Sequence, residues 1–252
     1  GTPRTKPRAL NYGLARARGE FVVVYDAEDR PDPLQLSESY ARFQSADETV
    51  GCLQAPLLIW NHSEAWLSRM LAIEFSTLFD GILPALCRFR VPIPLGGTSN
   101  HFRRSALDMC GGWDPYNVTE DADLGIRMAR FGFRFGCLNR PTYEEAPIDQ
   151  LVWLKQRTRW IKGWMQTWLV HMRHPILLAR DLGFWGFVVF HLITSGMIVS
   201  ALIHPFLIFF ILIKLIDVHN SGILAVLADP FFILDVATIL FGYLAFAMLA
   251  WR

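Results

Sequence analysis

Residues 21–29 read Phe-Val-Val-Val-Tyr-Asp-Ala-Glu-Asp, and this stretch decides the fold class of the chain. Its first five residues are β-branched or aromatic, which is typical of a fully buried β-strand. Amphipathic patterns at 6–18, ended by Gly19, and at 34–44 predict a helix on each side of the strand. A helix, a buried strand, an acidic turn and a second helix together predict an α/β sandwich domain.

The end of this strand carries three carboxylates, Asp26, Glu28 and Asp29, within four positions. In open α/β sheets, ligands bind beyond the carboxyl ends of the strands. Hard oxygen ligands at such a place suit Mg²⁺ or Mn²⁺ carrying a phosphate-rich substrate. The turn also leads into Pro31, and acidic turns before prolines are common as solvated helix caps. The motif alone favours neither interpretation.

The following sequence continues the α/β pattern. Residues 50–60 predict one further strand and residues 64–83 predict a helix. Residues 133–138 and 142–146 predict two short strands.

A glycine-rich stretch lies inside this region, where residues 96–104 read GGTSNHFRR. Paired glycines beside small hydroxyl residues allow the backbone to approach a sugar or a phosphate closely, and two arginines follow. Gly97 and Thr98 are therefore candidates for substrate contact. An ordinary glycine turn between strands explains the glycines at least as well.

A second acidic cluster, Thr119-Glu120-Asp121-Ala122-Asp123, opens a helix predicted at 124–131. Thr119 can cap this helix, and carboxylates in a first turn complement the helix dipole. Capping alone therefore accounts for these residues. A carboxylate at a helix start that faces a cleft can equally act as a general base, and periodicity does not separate the two roles.

The C-terminal part of the chain is almost uncharged. Apolar residues make up 52% of the sequence, the net charge is +1, and residues 184–252 hold only five charged side chains. The apolar run at 184–203 is long enough for a helix across ~30 Å of hydrocarbon. Pro205 interrupts this run, which predicts either one long broken helix or a tight hairpin, and 230–251 forms a second span. The small net charge gives no field that favours nucleic acid.

The segment at 151–174 joins these two parts. It places four tryptophans among lysines and arginines, which is the composition of an interfacial helix along a membrane. The pentad Gln156-Arg157-Thr158-Arg159-Trp160 lies in this segment. Because Lys and Arg concentrate just before Gly183, the preceding domain is predicted on the cytoplasmic side of the inner (plasma) membrane, which the chain crosses more than once.

Taken together, these motifs resemble the membrane-embedded family-2 glycosyltransferases of the processive, cellulose/chitin/hyaluronan-synthase-like kind. The resemblance covers essentially the whole chain, and its most specific part is Thr-Glu-Asp followed by Gln-x-x-Arg-Trp and apolar spans. The stretches that carry it are Lys6-Pro7-Arg8-Ala9-Leu10-Asn11, Asp26-Ala27-Glu28, residues 96–104, Thr119-Glu120-Asp121 and Gln156-x-x-Arg159-Trp160.

The resemblance implies three regions: a partial GT-A-type α/β domain at 1–150, an interfacial segment carrying the pentad at 151–182, and transmembrane α-helices at 183–252. About two spans are expected, the first broken at Pro205. The implied activity is that of an inverting β-glycosyltransferase (a hexosyltransferase), which moves a hexose from a UDP- or GDP-sugar to a growing polysaccharide at the cytoplasmic membrane face. The family's first strands would precede Lys6, so the chain is expected to be a fragment that is inactive by itself.

The resemblance also assigns roles to residues. Asp26 and Glu28 stand at the family's D-x-D positions and would hold Mg²⁺ or Mn²⁺ against the nucleotide diphosphate. Glu28 replaces the aspartate of that pattern, and the adjacent Asp29 leaves open which carboxylate reaches the metal. Asp121 would be the general base. The positions implied to contact substrate are Lys6, Gly97, Thr98, Thr119, Glu120, Gln156, Arg159 and Trp160.

Two other functions fit parts of the sequence. A non-processive transferase that acts once on a polyprenyl-phosphate lipid would use the same acidic motifs, although the pentad goes with chain elongation in the family. A non-catalytic membrane transport or scaffold subunit would use the acidic turns only as helix caps. The few ionisable residues in the apolar spans argue against an ion pathway.

Overall fold

The computed structural model describes residues 4–222 and 229–250, in which short strands alternate with helices. The strands are β1 (Phe21–Val24), β2 (Arg30–Pro31), β3 (Val50–Gln54), β4 (Leu57–Ile59), β5 (Asn100–Arg103), β6 (Arg134–Cys137) and β7 (Thr142–Glu144). The helices are α1 (Lys6–Leu14), α2 (Gln35–Ser45), α3 (Trp66–Ser76), α4 (Leu83–Phe89), α5 (Arg104–Cys110), α6 (Glu120–Arg130), α7 (Gln150–His171), α8 (Pro175–Ser221) and α9 (Pro230–Ala250). A π-helical turn, Thr77–Ile82, joins α3 to α4.

The strands form two small sheets. The first has the order β1-β5-β3-β6, in which β5 is antiparallel to β1 and β3, and β3 is parallel to β6. The second has the order β2-β7-β4, in which β7 is antiparallel to β2 and parallel to β4. On the first sheet, Phe43 of α2 clusters with Leu53, whereas Leu107 of α5 and Leu124 of α6 cluster with Cys52. Because neighbouring strand residues face opposite sides, the sheet lies between two helical layers, which confirms the predicted α/β domain.

The N-terminal elements are shorter or more exposed than the sequence predicts. Helix α1 ends at Leu14 rather than Arg18, because the chain turns through hydrogen bonds from Arg16 and Ala17 to the Gly13 carbonyl. In β1 only the last residue is buried. Among the described strands β1 pairs with β5 alone, so it is an edge strand, and the expectation of full burial is wrong for this reason.

The residues predicted as one strand at 50–60 form two strands in different sheets. Strand β3 ends at Gln54 and β4 begins at Leu57. Pro56 separates them, because proline has no N–H to donate to a strand ladder. The Ala55 N–H still donates to the Ser99 carbonyl at 3.1 Å, which holds the end of β3 beside the glycine-rich stretch.

The helix predicted at 64–83 is longer than expected and contains a distortion. It continues as α3, the π-helical turn and α4, and ends at Phe89. Pro84 is the second residue after the π-helical turn. Its missing N–H removes one bond of the helical ladder, which accounts for the wider turn before it.

The apolar C-terminal sequence forms two long helices. Helix α8 continues through Pro205, and its departure from helical geometry lies at Gly183 (φ 68°, ψ 174°) rather than at the predicted break. Glycine adopts such a positive φ without a Cβ clash. The second run forms α9, and Trp251 at its predicted end lies outside the described residues. By length and composition alone, Trp66–Phe89 and Pro175–Lys214 qualify as candidate membrane spans.

Candidate active site

Helix α1 delivers Lys6 to the acidic loop that follows β1. Lys6 Nζ lies 2.5 Å from Asp26 Oδ1 and donates a hydrogen bond to the Gly97 carbonyl at 2.6 Å. Asn11 fixes the helix, because its amide group both donates to the Trp113 carbonyl and accepts from the Trp113 N–H. Burial alone would lower the pKa of Lys6, but the hydrogen bond to Asp26 and nearby carboxylates raise it overall. Lys6 therefore holds a positive charge between the acidic loop and the glycine-rich stretch.

The acidic loop is held closed by Asp29. Its Oδ2 accepts hydrogen bonds from the Asp26 N–H at 2.8 Å and from the Thr98 hydroxyl. Thr98 Oγ1 also accepts from the Asp26 N–H at 3.2 Å, so Thr98 joins this loop to the glycine-rich stretch. Glu28 is exposed. Because Asp29 is engaged inside the loop, the geometry favours Glu28 as the second carboxylate that reaches a bound cation.

The start of α6 carries the second acidic cluster into the interior. Glu120, Asp121 and Asp123 are all buried. Trp113 Nε1 donates a hydrogen bond to Asp121 Oδ1 at 3.2 Å, while a Cβ placed on Gly97 would lie 3.8 Å from Asp121 Oδ2. Burial raises the pKa of the Asp121 carboxyl well above its usual range, and the charge of Glu120 adds to this effect. Asp121 therefore lies beside the glycine-rich stretch with a strong affinity for a proton.

Thr119 does not cap α6 as the sequence predicts. It occupies the N-cap position, but its side chain makes no capping hydrogen bond, and its hydroxyl donates to Asn117 Oδ1 at 3.3 Å instead. Its environment is set by α7: a Cβ on Gly163 would lie 2.3 Å from Thr119 Cγ2 and Oγ1. Thr119 is therefore a packing contact between the two helices.

A buried stripe on α7, made of Gly163, Thr167 and His171, seats this helix on the start of α6. These residues are four positions apart and so lie on one face of the helix. Gly163 lies against Thr119, and Thr167 Oγ1 accepts a hydrogen bond from Asn117 Nδ2 at 3.0 Å. Four-residue spacing is common to many helices, so the sequence alone does not single out this stripe.

His171 completes the stripe by a hydrogen bond to α6. Its Nδ1 lies 3.2 Å from Arg130 Nη1, which can only donate, so His171 carries its proton on Nε2 and donates it to Asp123 Oδ1 at 3.0 Å. Arg127 Nε donates to the other Asp123 oxygen at 2.7 Å. Burial would raise the pKa of Asp123, but the hydrogen bond from His171 and the charge of Arg127 lower it. Asp123 therefore stays ionised and anchors the helix.

The pentad ends three residues, less than one turn, before Gly163 on α7. This helix is capped by Asp149, which accepts from two backbone N–H groups of its first turn. Gln156 Oε1 is buried and has no hydrogen-bond partner within 4–222 and 229–250. Burial raises the pKa of Glu120, and the charges of Lys6 and Arg159 offset part of this rise, so Arg159 adds positive charge to the same site. Trp160 is half-buried against the core.

Glu144 is a further candidate that the sequence analysis did not single out. It ends β7, where its backbone carbonyl accepts from the Trp60 N–H at 3.1 Å. Burial raises the pKa of Glu144 to about 8, and the charges of Asp29 and Asp26 contribute to this rise. The sequence shows Glu144 only as a carboxylate in a predicted strand, and this position alone does not indicate that it lies near the acidic loop.

The carboxylates fit a divalent cation that arrives with its substrate. In the described part of the chain, no three His, Cys, Asp or Glu side chains converge on one metal-binding point. Mg²⁺ commonly takes only one or two protein carboxylates and completes its shell with waters and substrate phosphates. Asp26 and Glu28 offer such oxygens, and Asp26 already binds the Lys6 ammonium group. The site therefore suits a cation held jointly with a diphosphate.

Comparison with known proteins identifies the family. The family model described as Glycosyl transferase family group 2 matches residues 21–251. This chain belongs to that family. Membership in a family of enzymes leaves the non-catalytic transport or scaffold alternative without support.

Two relatives illustrate the range of this family. The probable glycosyltransferase YdaM of Bacillus subtilis is 29% identical over 232 residues, which is 88% of this chain and 53% of YdaM. The β-monoglucosyldiacylglycerol synthase of Synechocystis sp. is 31% identical over 182 residues, which is 69% of this chain and 36% of that synthase. The chain therefore spans about half, or less, of the length of these relatives.

A solved structure supports the fold. The mannosyltransferase PcManGT from Pyrobaculum calidifontis, in complex with GDP-Man and Mn²⁺, superposes with a TM-score of 0.50 at 19% identity, covering 79% of this chain and 61% of that one. The family and GT-A-like fold are thus confirmed. The processive, polysaccharide-forming type and the embedding in a membrane stay predictions.

Proposed function

We propose that this chain is the partial catalytic domain and adjoining helices of an inverting β-hexosyltransferase that extends a polysaccharide from a UDP- or GDP-hexose. One observation carries the proposal. The stripe of α7 packs the pentad helix against the start of α6, and the charge of Arg159 acts on Glu120. These contacts support a single site formed by Gln156, Arg159 and Trp160 with Asp121 and the acidic loop. A donor held at the loop and an acceptor held at the pentad then meet at Asp121.

Asp121 is the proposed general base. Its Oδ1 is fixed by Trp113, and Oδ2 faces Gly97, where an acceptor hydroxyl can approach. Asp121 takes the hydroxyl proton, the acceptor oxygen bonds to the anomeric carbon, and the bond from that carbon to the diphosphate oxygen breaks with its electron pair. Attack opposite the leaving group inverts the configuration. Burial raises the pKa of Asp121, so its ionised carboxylate is a stronger base than that of an ordinary aspartate.

The leaving diphosphate needs positive charge around it. Lys6 and Arg159 supply fixed charge in this region, as the coupling of both to Glu120 indicates. A divalent cation, Mg²⁺ or Mn²⁺, held through Asp26 and Glu28 would neutralise charge on the diphosphate when bound. Gly97 and Thr98 lie close enough to the loop to line the sugar-binding side, and the buried Gln156 Oε1 offers an acceptor for a substrate hydroxyl.

The membrane assignment rests on the C-terminal helices. Most of the large exposed side chains of α8 after Gly183 and of α9 are apolar, as are Leu151, Leu154 and Leu169 on the outer face of α7. Such surfaces suit a lipid bilayer, with α7 along its surface and α8 and α9 crossing it. We place the α/β domain on the cytoplasmic side of the inner (plasma) membrane in a multi-pass protein, because basic residues precede Gly183.

Nucleotide release tests the activity. Purified full-length protein is incubated with each UDP- and GDP-hexose in turn. Each donor is assayed once with Mg²⁺ or Mn²⁺ and once with a chelator in place of the metal. We expect release with one donor class, dependent on a divalent cation. No release from any donor would contradict the proposed function, and release unaffected by the chelator would contradict the metal assignment.

A second acceptor class has a specific observation in its favour. The Synechocystis relative is named as a synthase of a glucosylated diacylglycerol, which favours a single transfer to a membrane lipid. Product length separates the two functions. A labelled donor yields a polymer if the chain elongates a glycan, and one sugar on a lipid extractable into organic solvent if it does not.

A further inference from the structure

Arg157 of the pentad makes a two-pronged ion pair with α3. Its Nη1 and Nη2 donate to Glu74 Oε1 and Oε2 at 2.7 Å and 2.5 Å. This fork-to-fork geometry fixes the plane and direction of the guanidinium group, which a single point contact does not. Glu74 lies at the last turn of α3, directly before the π-helical turn.

The fixed guanidinium group lies against two indole rings. Arg157 Cζ is 4.7 Å from the centre of the Trp160 ring and 5.3 Å from that of Trp153. These residues are three and four positions from Arg157 along α7, so all three share one helix face. A guanidinium over an indole face is attractive through the ring quadrupole. Arg157 therefore restricts the orientation of both rings.

The π-helical turn links Glu74 to the other side of the site. Phe79 in this turn lies against Gly96, where an added Cβ would be 3.0 Å from the Phe79 ring. The same helical segment thus contacts the glycine-rich stretch through Phe79 and the pentad through Glu74. Through these two contacts, the segment fixes the orientation of Trp160 relative to the glycine-rich stretch as well as within α7.

We infer that Glu74 and Arg157 are positioning residues that hold the Trp160 indole for the acceptor sugar. The inference rests on the proposed function, in which the pentad holds the acceptor, and it adds that the indole face of Trp160 packs against the terminal sugar ring. Stability alone is a weak reason for the pair, since the Glu74 side chain is 38% exposed and ion pairs at that exposure contribute little to folding. The bidentate geometry and the guanidinium group over the indole rings instead indicate that the pair serves to orient Trp160.

The test separates acceptor binding from donor turnover. Glu74→Gln and Arg157→Lys variants of the full-length protein are assayed for KM of the acceptor, KM of the donor and kcat, with the methyl β-glycoside of the transferred hexose as soluble acceptor. We expect the acceptor KM to rise roughly three- to tenfold, as loss of a stacked cation predicts, while donor KM and kcat stay within about twofold. Calorimetric binding of the same glycoside without donor should weaken by a similar factor.

Arg157→Lys is the decisive variant, because lysine keeps the charge for a pair with Glu74 but has neither the planar guanidinium group nor its two-pronged geometry. An acceptor KM at the unaltered level in Arg157→Lys would show a purely structural salt bridge and overturn the inference. Asp47→Asn, which breaks the Arg134–Asp47 ion pair elsewhere, is the matched control and should leave the acceptor KM unchanged. Nucleotide release by the unaltered protein with donor and glycoside both present tests the proposed function separately. If the unaltered protein releases no nucleotide, the function is refuted rather than the role of this pair.

Discussion

The two acidic clusters of this chain have similar composition but opposite environments. The loop at 26–29 is partly exposed, and its Asp26 is paired with Lys6. The cluster at 120–123 begins a helix and is buried beneath α7. The first cluster therefore lies against a cation, the Lys6 ammonium group, and the second cluster is held away from water.

The difference in environment separates two chemical tasks. An exposed carboxylate stays charged and attracts a cation, whereas a buried one binds protons more tightly. Burial raises the pKa of Asp121 well above its usual range, while the Lys6 ammonium lies against Asp26. This difference supports the proposal that the loop binds the metal and that the helix start abstracts the proton.

The largest expected effect comes from Asp121→Asn. Asparagine keeps the shape and can still accept from Trp113 Nε1, but it cannot take a proton from the acceptor. We expect sugar transfer to fall by about 10²- to 10⁴-fold, which is the usual contribution of a general base, with nucleotide binding largely retained. Transfer is measured with a labelled donor and binding by calorimetry.

The half-buried Asp114 provides the control for this change. Asp114→Asn removes a nearby carboxylate outside the cluster and should leave transfer unaltered. Full transfer by Asp121→Asn would show that Asp121 is not the general base, and the two clusters would then not differ in chemical role. Loss of nucleotide binding in the same variant would instead make Asp121 part of the donor site.

Gly163→Ala tests the contact between α7 and the start of α6, which carries the buried cluster. The new Cβ would lie 2.3 Å from Thr119, so α7 must move away from the start of α6. A shift of that kind between an acceptor helix and its base costs up to roughly 100-fold in rate. We expect kcat to fall while the metal concentration for half-maximal activity stays the same.

Gly13→Ala is the matched control, since a Cβ at Gly13 of α1 meets nothing within 4 Å. It should keep full activity and raise the unfolding temperature slightly, because alanine favours helix. Unaltered kcat in Gly163→Ala would mean that contact between α7 and α6 does not set the geometry of the site.

Asp26→Asn tests the exposed cluster. Removing this carboxylate leaves Lys6 without its ion pair and takes one hard oxygen from the proposed cation site. We expect the Mg²⁺ or Mn²⁺ concentration for half-maximal nucleotide release to rise by roughly 10- to 100-fold. If this metal concentration does not change, the cation is bound by other carboxylates. Glu28 and Glu144 would then be substituted next.

The sequence predicts the parts of the site that lie at the ends of single elements. Asp121 at a helix start and Asp26 at a strand end stand out because residue type and position together suggest chemistry. Gly163 and Glu144 do not, since their significance depends on contacts with Thr119 and with the acidic loop that only the folded chain forms. The same reason explains the edge position of β1 and the division of residues 50–60 between two sheets.

The smallest effect on transfer is expected at a buried polar network behind the acidic loop. His101 Nε2 lies 3.0 Å from Gln35 Oε1, which also accepts from the Tyr25 hydroxyl at 2.8 Å. Since Gln35 Oε1 only accepts, His101 donates to it from Nε2. Burial lowers the pKa of His101 to about 4, although the charge of Glu38 opposes this.

The sign of the pH dependence follows from that lowered pKa. The unfolded chain binds a proton at this histidine near pH 6.5, and the folded chain only near pH 4, so the free energy of unfolding falls by up to about 3 kcal/mol between those values. His101→Gln keeps a donor for Gln35 without a titrating ring. Its unfolding free energy, measured by urea denaturation, should decline less steeply from pH 6.5 to pH 4, while transfer at neutral pH stays unaltered. An equal decline in both proteins would place the acid sensitivity in the carboxylates of the loop instead.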